Sequence, residues 1–380
     1  MPLTVHQFPC LSDNYGFLAH DEATGKTACI DTPEVAPILA ALKAKGWTLD
    51  LILNTHWHPD HAGGNTEIAA ATGATIVGPA EVTKLTPIDR EVKGGDVVIL
   101  AALQALQANG LLKEASITAY FTGDEERGGE GPEARADFIA RAKQAQVALA
   151  FETAIDRHTV ATARRGYSTW QLKTFGTAAH SSTIFKPAVG YGAIYEVARI
   201  LNSFRETLSQ EQYLTFNPGL IVGGSAVNYD PAKARGEVIG KTNIIAPTAA
   251  VAGDLRFLTE AQQEAARTRM RAIVGQNLAG TRAEITFSDG LPGMAPTPGN
   301  QQLAGLADQA SRDLGFGPVV AGDPGARGAG DISYVAQYLD CLDGLGAPGK
   351  GDHAAGETIN LKEFPKLVER AALMIYRLTR

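Results

Sequence analysis

Short apolar runs alternate with a few helical patterns through the N-terminal quarter of the chain. The helical patterns are VAPILAALKAKG, which ends on Gly46, and NTEIAAATG. The apolar runs that predict strands are TVHQF, YGFLAH, TACID, LDLILNT and ATIVGP. Strands and helices that alternate in this way are typical of a layered α/β domain.

From Asp96 onward the pattern continues with longer elements. DVVILAALQALQANG and PEARADFIARAKQ predict amphipathic helices, and ITAYFTG and QVALAFET predict strands. The acidic, glycine-rich loop DEERGGEG follows the first of these strands. Ligands collect at strand ends in open α/β sheets, so this loop is a candidate site.

Residues 163–280 predict an inserted α+β unit. Helical patterns lie near 190–208 and 259–276, and the strand candidates are STWQLKTFG, YLTFNPGLIVGG and AAVAGDLRFL. The C-terminal part, which ends in LKEFPKLVERAALMIYRLTR, returns to the α/β pattern. The fold class expected is therefore α/β with an α+β insertion.

Composition narrows the choice of partners. A length of 380 residues suits two or three domains, and a net charge of −7 with mixed signs gives no basic patch for nucleic acid. The cysteines, few and widely separated, predict reduced buried thiols. The longest apolar run, VVILAAL, is far shorter than the ~20 residues of a membrane helix, and the N-terminus lacks a secretory pattern. We expect a cytoplasmic protein that binds neither membranes nor nucleic acid.

NTHWHPDHAGGN concentrates metal-binding side chains directly after a predicted buried strand. Imidazole and carboxylate are preferred zinc ligands, and loops at strand ends can bring them together. The candidate ligands are His56, His58, Asp60 and His61.

This stretch resembles the HxHxDH motif of the metallo-β-lactamase fold. Together with DNYGFLAHD, CIDTPE and TGATIVGPAE, it makes residues 1–95 resemble glyoxalase II in particular. The resemblance implies that His56 and His58 hold one metal ion, and Asp60 and His61 a second. A GHTxGH-like segment, which supplies further ligands in that family, does not follow residue 95.

A second set of residues extends over the rest of the chain. GDEERGG places adjacent carboxylates at a predicted strand end, where one can bind a metal and its neighbour can act as a general base. With GTAAHSS, KTNIIAPTAAVAGDLRFL and GKGDHAAGE, this set resembles the M20 metallopeptidases, in particular the glutamate-carboxypeptidase-like branch, over residues 93–380.

The M20 resemblance implies a role for each matching residue. Glu125 would be the general base, and His180, on the inserted domain, would polarise the substrate carbonyl across a homodimer. Asn243 and Arg256 would contact the substrate, since a guanidinium suits a carboxylate. The two zinc ions would be held by Glu126, Glu152 and His353.

The two resemblances meet at VKGGD, residues 92–96. They imply a metallo-β-lactamase-like segment over 1–95, which is incomplete, and an M20-type catalytic domain over 96–162 and 281–380 without its N-terminal part. Residues 163–280 would be a dimerisation (lid) domain. Glu91 stands where the M20 family has its bridging aspartate, and His58-Pro59-Asp60 supplies a His-x-Asp upstream that could complete the site.

These resemblances together predict a zinc-dependent hydrolase. The M20 part implies cleavage of an amide bond in an N-acyl or peptidyl substrate with a free carboxylate. One alternative is thioester hydrolysis of an S-acylglutathione, as in glyoxalase II. The other is an inactive chimeric product, because each half lacks ligands that its own family supplies.

Overall fold

The computed structural model describes residues 3–12, 14–54, 57–78, 80–91, 94–121, 132–230, 233–350 and 358–380. The chain forms two compact units, Met1–Leu100 and Ala101–Arg380. No helix in the described ranges combines the length and apolarity needed to cross a bilayer.

The N-terminal unit contains a six-stranded mixed sheet with its strands in sequence order. The first three strands are antiparallel and the remaining ones run parallel to the third. The elements are β1 (Leu3–Cys10), β2 (Asn14–Asp21), β3 (Lys26–Ile30), α1 (Val35–Lys45), β4 (Leu51–Leu53), α2 (Pro59–Ala62), α3 (Asn65–Thr72), β5 (Thr75–Gly78) and β6 (Arg90–Glu91).

The five strands and two helices that the pattern predicts in this unit are confirmed. Helix α1 stops at Gly46, whose φ of 68° is the left-handed conformation that glycine adopts without strain. The core of the unit includes Leu18, Ile38, Ile52 and Ile68, all completely buried. Apolar side chains of the sheet and helices therefore form a core that belongs to this unit.

The remaining elements belong to the C-terminal unit, except that the first of them, a helix, begins within the N-terminal unit and crosses its boundary at Leu100. In chain order they are α4 (Gly94–Ala108), α5 (Pro132–Ala142), β7 (Val147–Leu149), β8 (Thr159–Val160), β9 (Gly166–Phe175), α6 (Ala193–Leu208), β10 (Thr215–Gly224), β11 (Ala226–Asp230), β12 (Arg235–Ile239), β13 (Thr248–Phe257), α7 (Glu260–Val274), β14 (Arg282–Asp289), α8 (Pro298–Asp313), β15 (Val320–Ala321), β16 (Asp340–Leu342), β17 (Gly349–Lys350), β18 (Thr358–Ile359) and α9 (Phe364–Leu378).

Two parallel strand pairs, β7 with β16 and β8 with β15, carry the α/β part of this unit. Helices α8 and α9 pack beside them, and Leu303, Leu342 and Met374 lie in the shared core. The strand predicted from ITAYFTG is wrong for its described residues, which form no strand. Ile117 and Phe121 are exposed there, and none of the described strands pairs with this segment.

The inserted part is built on an antiparallel sheet of order β10-β13-β9-β14, with α6 and α7 against one face. We call it the lid sheet. Its fourth strand, β14, lies beyond residue 280. Side chains of β9 alternate strictly, so that Trp170 and Leu172 enter a core with Phe204 of α6 while Tyr167 lies on the opposite face. The lid sheet therefore has one apolar face and one polar face.

The three cysteines are free and buried, as the composition predicts. Burial raises the pKa of Cys29 and Cys341 to about 12, so both thiols stay protonated.

Candidate active site

Glu152 follows β7 at the carboxyl end of the parallel pair β7–β16. The chain after β16 runs beside it, and the Gly346 amide donates to the Glu152 carbonyl at 3.0 Å. A Cβ on Gly346 would lie 2.2 Å from the carbonyl oxygen of Phe151, so only glycine permits this approach. The close approach fixes the backbone of Glu152 at the sheet edge where α/β proteins bind ligands.

Four of the predicted site residues lie outside the described residues: His56, Glu125, Glu126 and His353. For Glu91 the structure gives a place in strand β6. Within the described residues, no group of three or more His, Cys, Asp or Glu side chains is arranged to hold a metal ion. The donor types of the predicted set, carboxylate and imidazole, do fit zinc.

The structure brings His180 and Asn243 together. Their segments are joined by an isolated bridge between His180 and Ile244, and the Ser181 amide donates to the Asn243 carbonyl at 2.9 Å. Both residues are exposed, and the His180 Nδ1 lies 2.9 Å from the Ser182 hydroxyl. With Nδ1 engaged in this way, a substrate group would meet the ring at Nε2.

Arg256 lies on the polar face of the lid sheet and is half-buried. Its Nε donates to Asp254 at 2.8 Å, and its guanidinium carbon lies 5.1 Å from the centre of the Tyr167 ring. Sequence reasoning did not identify Asp254 or Tyr167. The i, i+2 spacing in GDLRF is the signal that could have placed Asp254 beside Arg256 on one strand face.

A further residue missed by sequence reasoning is Arg327. It lines a small open cleft together with Asp323 and Gly344. Its guanidinium donates to the carbonyl of Thr153, the residue after Glu152. Arg327 is far from Glu152 in sequence and belongs to no recognised motif, so only the fold could bring them close.

In the N-terminal unit, His61 lies between two carboxylates. Its Nδ1 is 2.8 Å from Asp31 Oδ2, and its Nε2 is 3.4 Å from Asp60 Oδ2. The hydrogen bond with Asp31 raises the pKa of His61, burial lowers it, and the charges of both carboxylates raise it further. A carboxylate on Nδ1 fixes the tautomer that presents Nε2 to a metal, and Asp31 was not among the predicted site residues.

A buried polar network holds the loop that carries His61. Asn65 exchanges side-chain hydrogen bonds with Asn54 at 2.6 and 3.1 Å, and Thr32 donates to Asn65 at 2.7 Å. Asn54 also donates to the His61 carbonyl at 3.1 Å. His58 precedes α2, and its ring centre lies 4.9 Å from that of Trp57. Hydrogen bonds from buried polar side chains therefore hold the His61 backbone in place.

Comparison with protein-family models shows to which family the chain belongs. The model of Peptidase family M20/M25/M40 matches residues 91–377, well over half of the chain. The chain belongs to this peptidase family. The M20 match includes Glu125, Glu126, Glu152 and His353, together with the whole lid sheet.

Solved structures show the same fold. Aminopeptidase PepT from Bacillus cereus superposes with a TM-score of 0.58 and 18% identity, covering 76% of this chain and 70% of that one. The YXEP protein of Bacillus subtilis, described as a dinuclear metal binding peptidase from the M20 family, gives 0.54 and 14%, with coverage of 77% and 76%. At these identities the likeness concerns the M20 fold.

The N-terminal part matches a second family. The model of the metallo-beta-lactamase superfamily covers residues 20–135, so both family models include 91–135. Hydroxyacylglutathione hydrolase from Erythrobacter litoralis is 62% identical over 96 residues, which are 25% of this chain and 38% of that enzyme. The chain thus spans well under half the length of that relative, and the predicted resemblance of its parts to two families is confirmed.

Proposed function

We propose that this M20 family member is a zinc-dependent hydrolase that cleaves an amide bond in an N-acyl or peptidyl substrate with a free carboxylate. The observation that carries the proposal is Arg256, a half-buried cation held by Asp254 on the polar face of the lid sheet. A guanidinium in this setting suits a substrate carboxylate. His180 and Asn243, whose segments adjoin each other, support the same assignment.

In this proposal the zinc ions would be held by Glu152, which lies at the sheet edge, together with Glu126 and His353. Bound zinc would supply Lewis acidity and lower the pKa of an attacking water. Glu125 accepts the proton of that water and passes it to the leaving amine. His180 donates a hydrogen bond to the carbonyl oxygen as negative charge develops there.

We further propose that His180 acts across a homodimer formed through the inserted domain. Ile194 and Tyr195, at the start of α6, are each 51% exposed, and Phe185 stacks edge-on against Tyr195. Ile221 is 56% exposed on β10, which is an edge strand of the lid sheet. An apolar surface beside an edge strand is suited to a second copy of the chain.

Hydrolysis of N-benzoyl-L-glutamate by the zinc-loaded chain tests the function. We expect release of glutamate, and a KM at least about tenfold higher in Arg256→Ala, since a charge-assisted pair contributes roughly 1.5–3 kcal/mol. The matched control is Arg271→Ala, which removes an exposed lid arginine paired with Glu264 and should leave KM unchanged. Equal KM values for both variants, or no release of glutamate, would contradict the proposal.

A second candidate function is thioester hydrolysis, favoured by the Asp31–His61–Asp60 arrangement in the N-terminal unit. In that case Asp60 and His61 would hold one metal ion, His56 and His58 another. The chain would then hydrolyse an S-acylglutathione and lose this activity in His61→Ala. Failure to turn over either substrate, with no zinc bound at equilibrium, would instead indicate an inactive chimeric product.

A further inference from the structure

The polar face of the lid sheet holds Arg256 in one orientation. Arg256 of β13 and Tyr167 of β9 are direct cross-strand partners, so their side chains lie side by side. Asp254 precedes Arg256 by two positions and shares its face, while Leu255 between them is completely buried on the other. Arg256 therefore has a carboxylate and an aromatic ring as fixed neighbours.

Asp254 and Tyr167 contact different parts of the Arg256 guanidinium. Asp254 Oδ2 accepts from Nε at 2.8 Å, which engages the inner edge of the planar group. The Tyr167 ring centre, 5.1 Å from the guanidinium carbon, lies within cation–π distance. The other N–H donors belong to the two Nη atoms, whose shared outer edge has the spacing of a carboxylate.

Asp254 is fixed in place through its own backbone. The Trp170 indole donates to the Asp254 carbonyl at 3.0 Å. A Cβ on Gly253 would lie 2.2 Å from the Asn217 carbonyl oxygen and 2.4 Å from the Trp170 ring. The strands approach so closely at this point that Asp254 is a rigid support for Arg256.

We infer that Asp254 and Tyr167 are positioning residues that orient Arg256 to bind one substrate carboxylate through its two Nη atoms, an inference that rests on the proposed function. A pre-oriented arginine loses less side-chain entropy on binding, a saving of about 0.5–1.5 kcal/mol. Asp254 lies on the inner edge, so the substrate carboxylate approaches from the outer edge, where the two donors are parallel.

The test is the dissociation constant of N-benzoyl-L-glutamate for the full chain, measured by calorimetry with a chelator present so that the ligand binds without being hydrolysed. Asp254→Ala should raise this Kd about 2- to 12-fold, the equivalent of the entropy saving. Asp254→Asn, which keeps an acceptor for Nε, should restore binding to within about twofold of the unmodified chain. Tyr167→Ala should raise Kd about 2- to 5-fold, and Tyr167→Phe, which keeps the ring, should not.

The fully amidated ligand separates this inference from the function on which it rests. Its Kd should be the same in all these variants, because it lacks the carboxylate that Arg256 binds. If Arg256→Ala weakens binding of the carboxylate ligand while Asp254→Ala and Tyr167→Ala do not, the positioning role is overturned and the proposed function stands. If Arg256→Ala leaves Kd unchanged, the proposed function fails as well. A lower melting temperature of Asp254→Ala with unchanged Kd would show a structural role alone and overturn the inference.

Discussion

The ion pair of Arg164 and Asp343 allows a sharp prediction about stability. Asp343 follows β16 directly and is completely buried, and Arg164, only 5% exposed, lies just before β9. Their Nε and Oδ2 atoms are 2.5 Å apart, and the Arg164 Nη1 also donates to the carbonyls of Gly328 and Ala329. The pair therefore links the start of β9 in the lid sheet to the end of β16.

Asp343→Ala would leave the buried guanidinium of Arg164 without its counter-charge. We expect the free energy of unfolding to fall by about 3–5 kcal/mol, the usual cost of removing one partner of a buried pair. In the double variant Arg164→Met, Asp343→Ala no charge remains, so its loss should be smaller than the sum of the two single losses. Urea unfolding, followed by near-ultraviolet circular dichroism, gives these free energies.

The control is Asp137→Ala, which removes an ion pair whose side chains are at least half exposed. This variant should lose little or no stability, because an exposed ion pair is screened by water and salt. A loss below about 1 kcal/mol in Asp343→Ala, or strict additivity in the double variant, would refute the reasoning.

Three further predictions concern other parts of the chain. The hydrogen bond from Arg157 lowers the pKa of Glu363. The stability that ionised Glu363 contributes is therefore complete above the unfolded pKa of ~4.3 and is lost as pH falls through the folded pKa. Glu363→Gln should flatten this acid side of the stability profile in urea titrations. Gly346→Ala should lower the melting temperature and the rate of amide hydrolysis, because its Cβ would lie 2.2 Å from a carbonyl oxygen. Gly305→Ala, which meets open space in α8, should instead raise stability by about 0.5–1 kcal/mol. Equal effects of the two substitutions would contradict this prediction. Asn65→Ala should destabilise the N-terminal unit by about 1–3 kcal/mol in a tryptophan-fluorescence melt, since it leaves buried partners unsatisfied; an unchanged melt would argue against the network.

Periodicity in the sequence predicted the longer elements well. The alternation of β9 and the helical spacing of α1 are each complete within one element, so local pattern was sufficient. Strands of two residues, such as β8 and β15, have no period to detect and form only because a distant strand pairs with them. ITAYFTG has the residue types of a strand, but strand formation also requires a partner.

Sequence reasoning proposed site residues where a motif carries the chemistry. Glu152 and His180 were proposed in this way, because each lies within a recognisable string. Asp31 and Arg327 were missed because their contacts, with His61 and with the carbonyl of Thr153, are distant in sequence. Such contacts depend on tertiary structure, which local pattern does not encode.

The most direct test of the central claim is the effect of Glu125→Gln on amide hydrolysis by the zinc-loaded chain. We expect N-benzoyl-L-glutamate hydrolysis that a chelator abolishes and added zinc restores, and a kcat about 10²–10⁴-fold lower in Glu125→Gln. Zinc bound per chain, measured by mass spectrometry, should be the same in both proteins. Unchanged kcat in Glu125→Gln, or hydrolysis of an S-acylglutathione in place of the amide, would contradict the assignment of the active site to the M20 residues.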